Sequence, residues 1–208
     1  MQELSTLEII NANSEDYLYM FGEKEFDLCL TDPPYGIAKT KVTGFMKKNH
    51  CETDYAWDVR PSKSVFEQIK RISKHQIVFG YNYLADYLGP CKSPVFWDKK
   101  TGRNYFADGE LIYTSKKTGT IRKFEHQWCG AIRASERGVK RLHPTQKPLI
   151  LIEYLLSLFP DVKTVIDPFA GSGTTGVACV SQGISCILIE ANKEYAEISK
   201  NRIINFDE

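Results

Sequence analysis

Six cysteines are scattered through the sequence, at Cys29, Cys51, Cys91, Cys129, Cys179 and Cys186, yet no two form a C-x-x-C pair. That spacing excludes ribbon-type zinc frameworks and thioredoxin-like redox motifs. No apolar stretch approaches the ~20 residues of a membrane span. The longest, around Leu149 to Phe159, is short and contains Glu153. The opening MQELSTLEII has no basic region leading into an apolar run, so no secretion signal is expected. Repeats and low-complexity tracts are absent too. A surplus of one charge is also missing, since the 208 residues carry a net +1, with 42% hydrophobic and 25% charged residues. This is the balance of a soluble globular chain, long enough for one domain, 1–208, with a large core. Cys29, Cys179 and Cys186 lie in apolar runs, so buried, reduced thiols and a cytoplasmic location are expected.

The small net charge hides an asymmetry. Residues 98–147 carry +7, with twelve Lys and Arg against five Asp and Glu, while the rest of the chain carries −6. A basic segment in an acidic chain points to a polyanion, although a solvated basic loop has the same composition. A second polar segment, 36–60, holds Lys39, Lys41, Lys47, Lys48 and His50. Unpatterned stretches of this length are usually lids or binding loops.

Elsewhere strands and helices alternate. Strands are predicted at 26–31, 76–80, 94–97, 110–114, 163–166 and 184–189. Helices are predicted at 62–73, 83–88, 148–158, 174–182 and 193–203, with Ser62 as a cap and Pro148 in the first turn. The alternation predicts an α/β fold: a Rossmann-like open, mostly parallel sheet with helices on both faces.

Two stretches carry chemistry. In "TVIDPFAGSGTTGVACV" a strand runs into a glycine turn and then a helix, so that Gly171 and Gly173 permit a tight turn before free helical N–H groups. No Gly-Lys-Ser/Thr follows, which argues against a P-loop. Glu190 ends the next strand, where such units place a ribose-binding acid. Asp167 and Phe169 add a carboxylate and an apolar face. Together they suit a ligand with a ribose and an ammonium group.

The other stretch is "TDPPYG", at the tip of the first predicted strand. An aromatic amino group is a poor nucleophile because its lone pair is delocalised into the ring. A carboxylate and a backbone carbonyl that accept from the NH₂ favour its pyramidalisation. Asp32 supplies the first and Pro33 the second, Pro33 and Pro34 fix the backbone direction, and Tyr35 offers a ring for stacking. If stacking is its whole role, the Tyr35 hydroxyl is dispensable. A base in a duplex must be flipped out to reach such a site.

These motifs resemble the S-adenosylmethionine-dependent amino-methyltransferases of DNA, in the permuted, beta-type order. "DPPY" at 32–35, "HPTQKP" at 143–148 and "FAGSG" at 169–173 follow one another as in that family, and the likeness covers nearly the whole chain. "VFGYNYLADYL", "VFWDKK" and "GELIYTS" look like the small phage- and prophage-borne members. The resemblance implies catalytic Asp32, Pro33, Pro34 and Tyr35. It implies S-adenosylmethionine held by Asn13, Asp32, Thr145, Gln146, Lys147, Asp167, Phe169, Gly171, Gly173, Thr174 and Glu190, with Lys147 near the cofactor's methionine carboxylate. Asn13 stands where relatives commonly carry an acid. The resemblance further implies double-stranded DNA as partner, a target-recognition insert at 98–141 and a mobile loop at 36–60, with Lys39, Lys116, Lys117, Arg122 and Lys123 on nucleic acid. A homodimer is left open, and neither the recognised sequence nor a restriction endonuclease partner is legible.

Asp at the head of the tetrapeptide favours adenine N6; cytosine N4, a methylated RNA or protein, and a silent DNA- or cofactor-binding relative are the alternatives. A cytosine C5 reading through Cys91 lacks an activating neighbour. His126 and Cys129 lack a second pair of ligands, so no metal site is expected.

Overall fold

The computed structural model describes residues 6–37, 57–102, 107–129, 132–136, 138, 142–143 and 145–206. Ten strands and six α-helices follow in chain order: β1 (Leu7–Asn11), α1 (Ser14–Tyr17), a 3-10 turn (Leu18–Met20), β2 (Phe26–Thr31), α2 (Lys63–Ile72), β3 (Ser73–Phe79), α3 (Tyr81–Leu88), β4 (Val95–Asp98), β5 (Gly109–Thr114), β6 (Arg122–Glu125), β7 (Trp128–Cys129), β8 (Ile132–Arg133), α4 (Leu149–Ser157), β9 (Thr164–Asp167), α5 (Thr174–Ser181), β10 (Ser185–Glu190) and α6 (Lys193–Ile204). Eight strands form one sheet in the order β1-β10-β9-β2-β3-β5-β4-β6, and β7 and β8 pair separately. The run from β1 to β3 is parallel, β5 is antiparallel to both β3 and β4, and β6 is parallel to β4.

Alternate residues of the central strands build a core on each face of the sheet. Leu28, Leu30, Ile77, Phe79, Val165 and Leu188 pack with α4 and α5. Cys29, Val78, Ile166 and Ile189 pack with α2 and α3. Each large side chain buried here contributes about 1.5–3 kcal/mol, which outweighs the weak helix propensity of so β-branched a chain. The expected α/β architecture is thus present, with helices on both faces.

Local departures have local reasons. β1 and α1 are elements the periodicity did not announce, because β1 is an edge strand with no fully buried residue. Pro148 takes the N-cap position with extended ψ 136°, so α4 starts one residue later than predicted. Ser62 stands at the N-cap of α2 but does not cap it; its backbone N–H and its hydroxyl both donate to the Glu15 carboxylate instead. Within segment 98–141, β5 lies between β3 and β4 and β6 extends the same sheet. Residues 38–56 of the predicted loop, Lys39 included, lie outside the described residues.

Candidate active site

Strands β9 and β2 are neighbours in the sheet although they come from opposite ends of the sequence. Their C-terminal tips carry Asp167 and Asp32, and open α/β sheets bind ligands at such reversals of strand order. Thr31 Oγ1 ties the two strands together, donating to Asp167 Oδ1 at 2.7 Å. Thr175 Oγ1 donates to Oδ2 at 2.6 Å and the Phe169 N–H to Oδ1 at 3.0 Å. Asp167 is only 3% exposed. Burial pushes its carboxyl up to about 6, against the pull of these hydrogen bonds. Asp167 therefore shapes the turn from within.

The turn itself crosses α6 at close quarters. A Cβ on Gly173, whose φ is 77°, would collide with the Ser199 side chain. Arg202 Nη1 holds the turn from below, donating to the Ser172 carbonyl at 3.1 Å and to Thr174 Oγ1 at 2.8 Å. Glu190 accepts the N–H groups of Gly171 and Asn192, both at 2.8 Å, and burial raises its carboxyl against these donors. The residues present fit an adenosyl cofactor. A half-buried carboxylate suits ribose hydroxyls, the partly exposed Phe169 ring suits a purine, and glycines leave the backbone accessible. Ser14 Oγ donates to the Pro168 carbonyl, bringing Asn13 to this turn, although the Asn13 side chain caps α1 through the Glu15 N–H at 3.0 Å.

The tetrapeptide builds a second, more strongly charged group. Asp58 Oδ1 accepts the N–H groups of Tyr35 and Gly36 at 2.9 and 3.0 Å, so the chain after the prolines is held from within the protein. The Tyr35 ring stacks on Tyr83, centroids 5.2 Å apart. It lies against Gly80, with φ 70°, where any Cβ would sit inside the Tyr35 ring. Tyr35 Oη contacts both Asp32 Oδ1, at 2.5 Å, and Glu110 Oε1, at 2.8 Å. Lys147 Nζ donates to Asp32 Oδ2 and lies 3.6 Å from Glu110 Oε1, while Lys99 Nζ bonds Glu110 Oε2 at 2.9 Å. Burial alone would raise Glu110, but two ammonium groups outweigh it and hold the carboxyl down at about 2. Asp32 has one ammonium partner and a carboxylate neighbour, so burial pushes it up. Burial would lower Lys147, yet the two carboxylates outweigh it and keep it protonated.

The other expected site residues are distributed unevenly. Lys147 was expected near the cofactor's methionine carboxylate; in the structure it pairs with the tetrapeptide acid. The Gln146 side chain is engaged by Glu136 Oε2 at 2.8 Å and by the Leu142 N–H at 3.2 Å. Thr145 is exposed beside His143, whose ring packs edge-on against Tyr195 and Trp57. Lys116 and Lys117 follow β5 alongside the start of β3, at the end of the sheet opposite Asp32, beside Lys74 and His75 in a cleft of about 730 Å³. Arg122 and Lys123 lie on the edge strand β6, where Lys123 is paired with Asp98 and Glu125 at 2.8 and 2.5 Å. Cys91 Sγ meets the Thr114 carbonyl at 3.4 Å, away from Asp32.

Glu110, Asp58, Thr31 and Gly80 were not singled out by sequence. A charged residue opening the apolar strand "GELIYTS" was a usable signal for Glu110. Nothing local marked Asp58, whose partners are 22 and 23 residues away.

The chain is similar to known proteins. A family model described as DNA methylase, for N6 and N4 methyltransferases, matches residues 62–201. The type II methyltransferase M2.MboI of Moraxella bovis is 48% identical over 93% of this chain and 86% of its own length. DNA adenine methyltransferase YhdJ of Escherichia coli K12 is 30% identical over 94% of this chain and 82% of its own. Against two further type II methyltransferases, from Lactococcus lactis and Streptococcus pneumoniae, the matched stretch spans only 45% and 46% of the relative's length. The crystal structure of the M1.HpyAVI–SAM complex superposes with a TM-score of 0.58 over 95% of this chain and all of that one, at 23% identity, a likeness of fold. The chain belongs to the N6/N4 DNA methylase family.

Proposed function

We propose that this protein methylates the N6 amino group of a flipped-out adenine in double-stranded DNA. The observation that carries the reading is that Asp32 and the glycine turn follow the tips of two neighbouring strands, joined through the Thr31–Asp167 hydrogen bond. The cofactor supplies an electrophilic methyl group, released as its C–S bond electrons stay on sulfur. Asp32 and the Pro33 carbonyl accept the amino hydrogens, so the nitrogen lone pair becomes free to form the new N–C bond; the surplus amino proton leaves to water by way of Asp32. Phe169, Gly171, Gly173 and Glu190 hold the cofactor, with Asn13, Thr145, Gln146, Lys147 and Thr174 around them and Asp167 shaping the turn. A cavity of about 120 Å³ lies next to the tetrapeptide, lined by Tyr35, Tyr83, Asn82 and Glu110, and Tyr35 stacks on the base. Adenine is favoured over cytosine by the Asp at the head of the tetrapeptide and by likeness to a relative named for adenine.

The chain acts as a single catalytic domain in which the 98–141 segment reads the target. Its site of action is the cytoplasm, consistent with the absence, among the described residues, of any helix long and apolar enough to cross a membrane. Incubation with DNA and labelled cofactor, then digestion and mass spectrometry, tests the reading. N6-methyladenine is expected; N4-methylcytosine would change the base, and no product would leave a silent binding relative.

A further inference from the structure

The described site has its key acceptor already occupied. Both Asp32 oxygens are engaged, Oδ1 by Tyr35 Oη and Oδ2 by Lys147 Nζ. A base amino group needs one of those oxygens. Either donor, displaced into a buried site without a new partner, would forfeit a charge-assisted hydrogen bond, and leaving Lys147 unpaired there costs several kcal/mol. Both donors face one alternative. Glu110 Oε1 is 2.8 Å from Tyr35 Oη and 3.6 Å from Lys147 Nζ, so a shift of well under 1 Å brings the ammonium into hydrogen-bond range. The Tyr35 hydroxyl has a single hydrogen for two carboxylates, so only one of its contacts is a donated bond at any moment. Glu110 is held ready by Lys99 on its other oxygen, and its side chain is only 9% exposed, so water does not compete for it.

We propose that Glu110 is a positioning residue for methyl transfer: it takes over the Lys147 and Tyr35 donors from Asp32 as the base enters, freeing Asp32 to accept the amino group. The exchange moves no charge into or out of the cluster, because two carboxylates and two ammonium groups are present before and after. It rests on the methyl-transfer reading above. It also gives the Tyr35 hydroxyl a role that stacking alone does not.

The test compares the parent with Glu110→Gln and Glu110→Asp. The glutamine keeps the shape and removes the charge that would receive Lys147. Single-turnover methylation by Glu110→Gln should fall by about ten- to a hundredfold, with cofactor and DNA dissociation constants unchanged within about twofold. Glu110→Asp, which retains a carboxylate, should recover part of the rate. A crystal structure of the parent with S-adenosylhomocysteine and DNA should show Lys147 Nζ hydrogen-bonded to Glu110 and a base amino group on Asp32. The proposal is overturned if Glu110→Gln turns over within twofold of the parent, if its loss is matched by an equal loss of cofactor affinity, or if Lys147 stays on Asp32 with the base in place. A parent that methylates no DNA would instead overturn the underlying reading, and the exchange with it.

Discussion

The two ends of the sheet are both rich in charge and use it differently. At the C-terminal end Asp32, Glu110, Lys147 and Lys99 form a closed, balanced group beneath little solvent. At the opposite end lysines crowd a wide cleft. Lys24 donates to the carbonyls of Lys70 and Ser73, and Lys70 to those of Tyr87 and Leu88. Lys74 pairs with Asp27, whose other oxygen accepts the N–H groups of Lys163 and Thr164. The lower end thus spends its ammonium groups on finishing elements and tying strand starts together. The upper end keeps its charges in a group that can exchange partners. The +7 segment of the sequence feeds both ends, so its charge count did not reveal where a polyanion would sit.

The sharpest way to break this contrast is to remove the upper acid. Asp32→Ala should lower methyl transfer by about a thousandfold or more, because Asp32 accepts from the reacting nitrogen. Cofactor affinity should change little, since Asp32 does not face the ribose; calorimetry and labelled-methyl incorporation read the two separately. Next comes packing. Gly80→Ala forces a Cβ into the Tyr35 ring at a left-handed φ, and denaturant titration should show a loss of about 2–4 kcal/mol.

Glu190→Ala should weaken cofactor binding by about 1.5–3 kcal/mol, seen by titration of S-adenosylmethionine. An unchanged affinity would remove Glu190 from the site. Reversal of the lower end, Lys116→Glu with Lys117→Glu, should leave the salt dependence of DNA binding unaltered. A drop in slope of about 1.8 would instead bring the duplex to that end.

The smallest effects are in pH dependence, and they have opposite signs at the two ends. Burial would raise Asp27, but Lys74 and the backbone donors outweigh it and hold the carboxyl down to about 2. Its contribution to stability is present above the ordinary carboxylate range and is lost as pH falls toward 2. Asp167, raised to about 6, binds its proton more tightly when folded, so its contribution falls as pH rises from about 4 to about 6. Melting temperatures across pH should show Asp167→Asn flattening that decline, and Asp27→Asn losing most above pH 4.

Sequence by itself determined the parts written in short windows. Alternating apolar runs specified most strands and helices, and hence the α/β class, because burial on both faces of a parallel sheet requires such runs. The tetrapeptide and the glycine turn were legible because each packs its chemistry into a few consecutive residues. Only the tertiary structure decided which distant groups meet. Lys147 reaches Asp32 across 115 residues and Glu110 reaches Tyr35 across 75. Asp58 steadies the tetrapeptide from 23 residues further along the sequence, and Lys116 and Lys117 part from the remainder of the basic segment because β5 runs antiparallel to β3. Those outcomes follow from strand order and register, and neither is encoded in any single stretch of the chain.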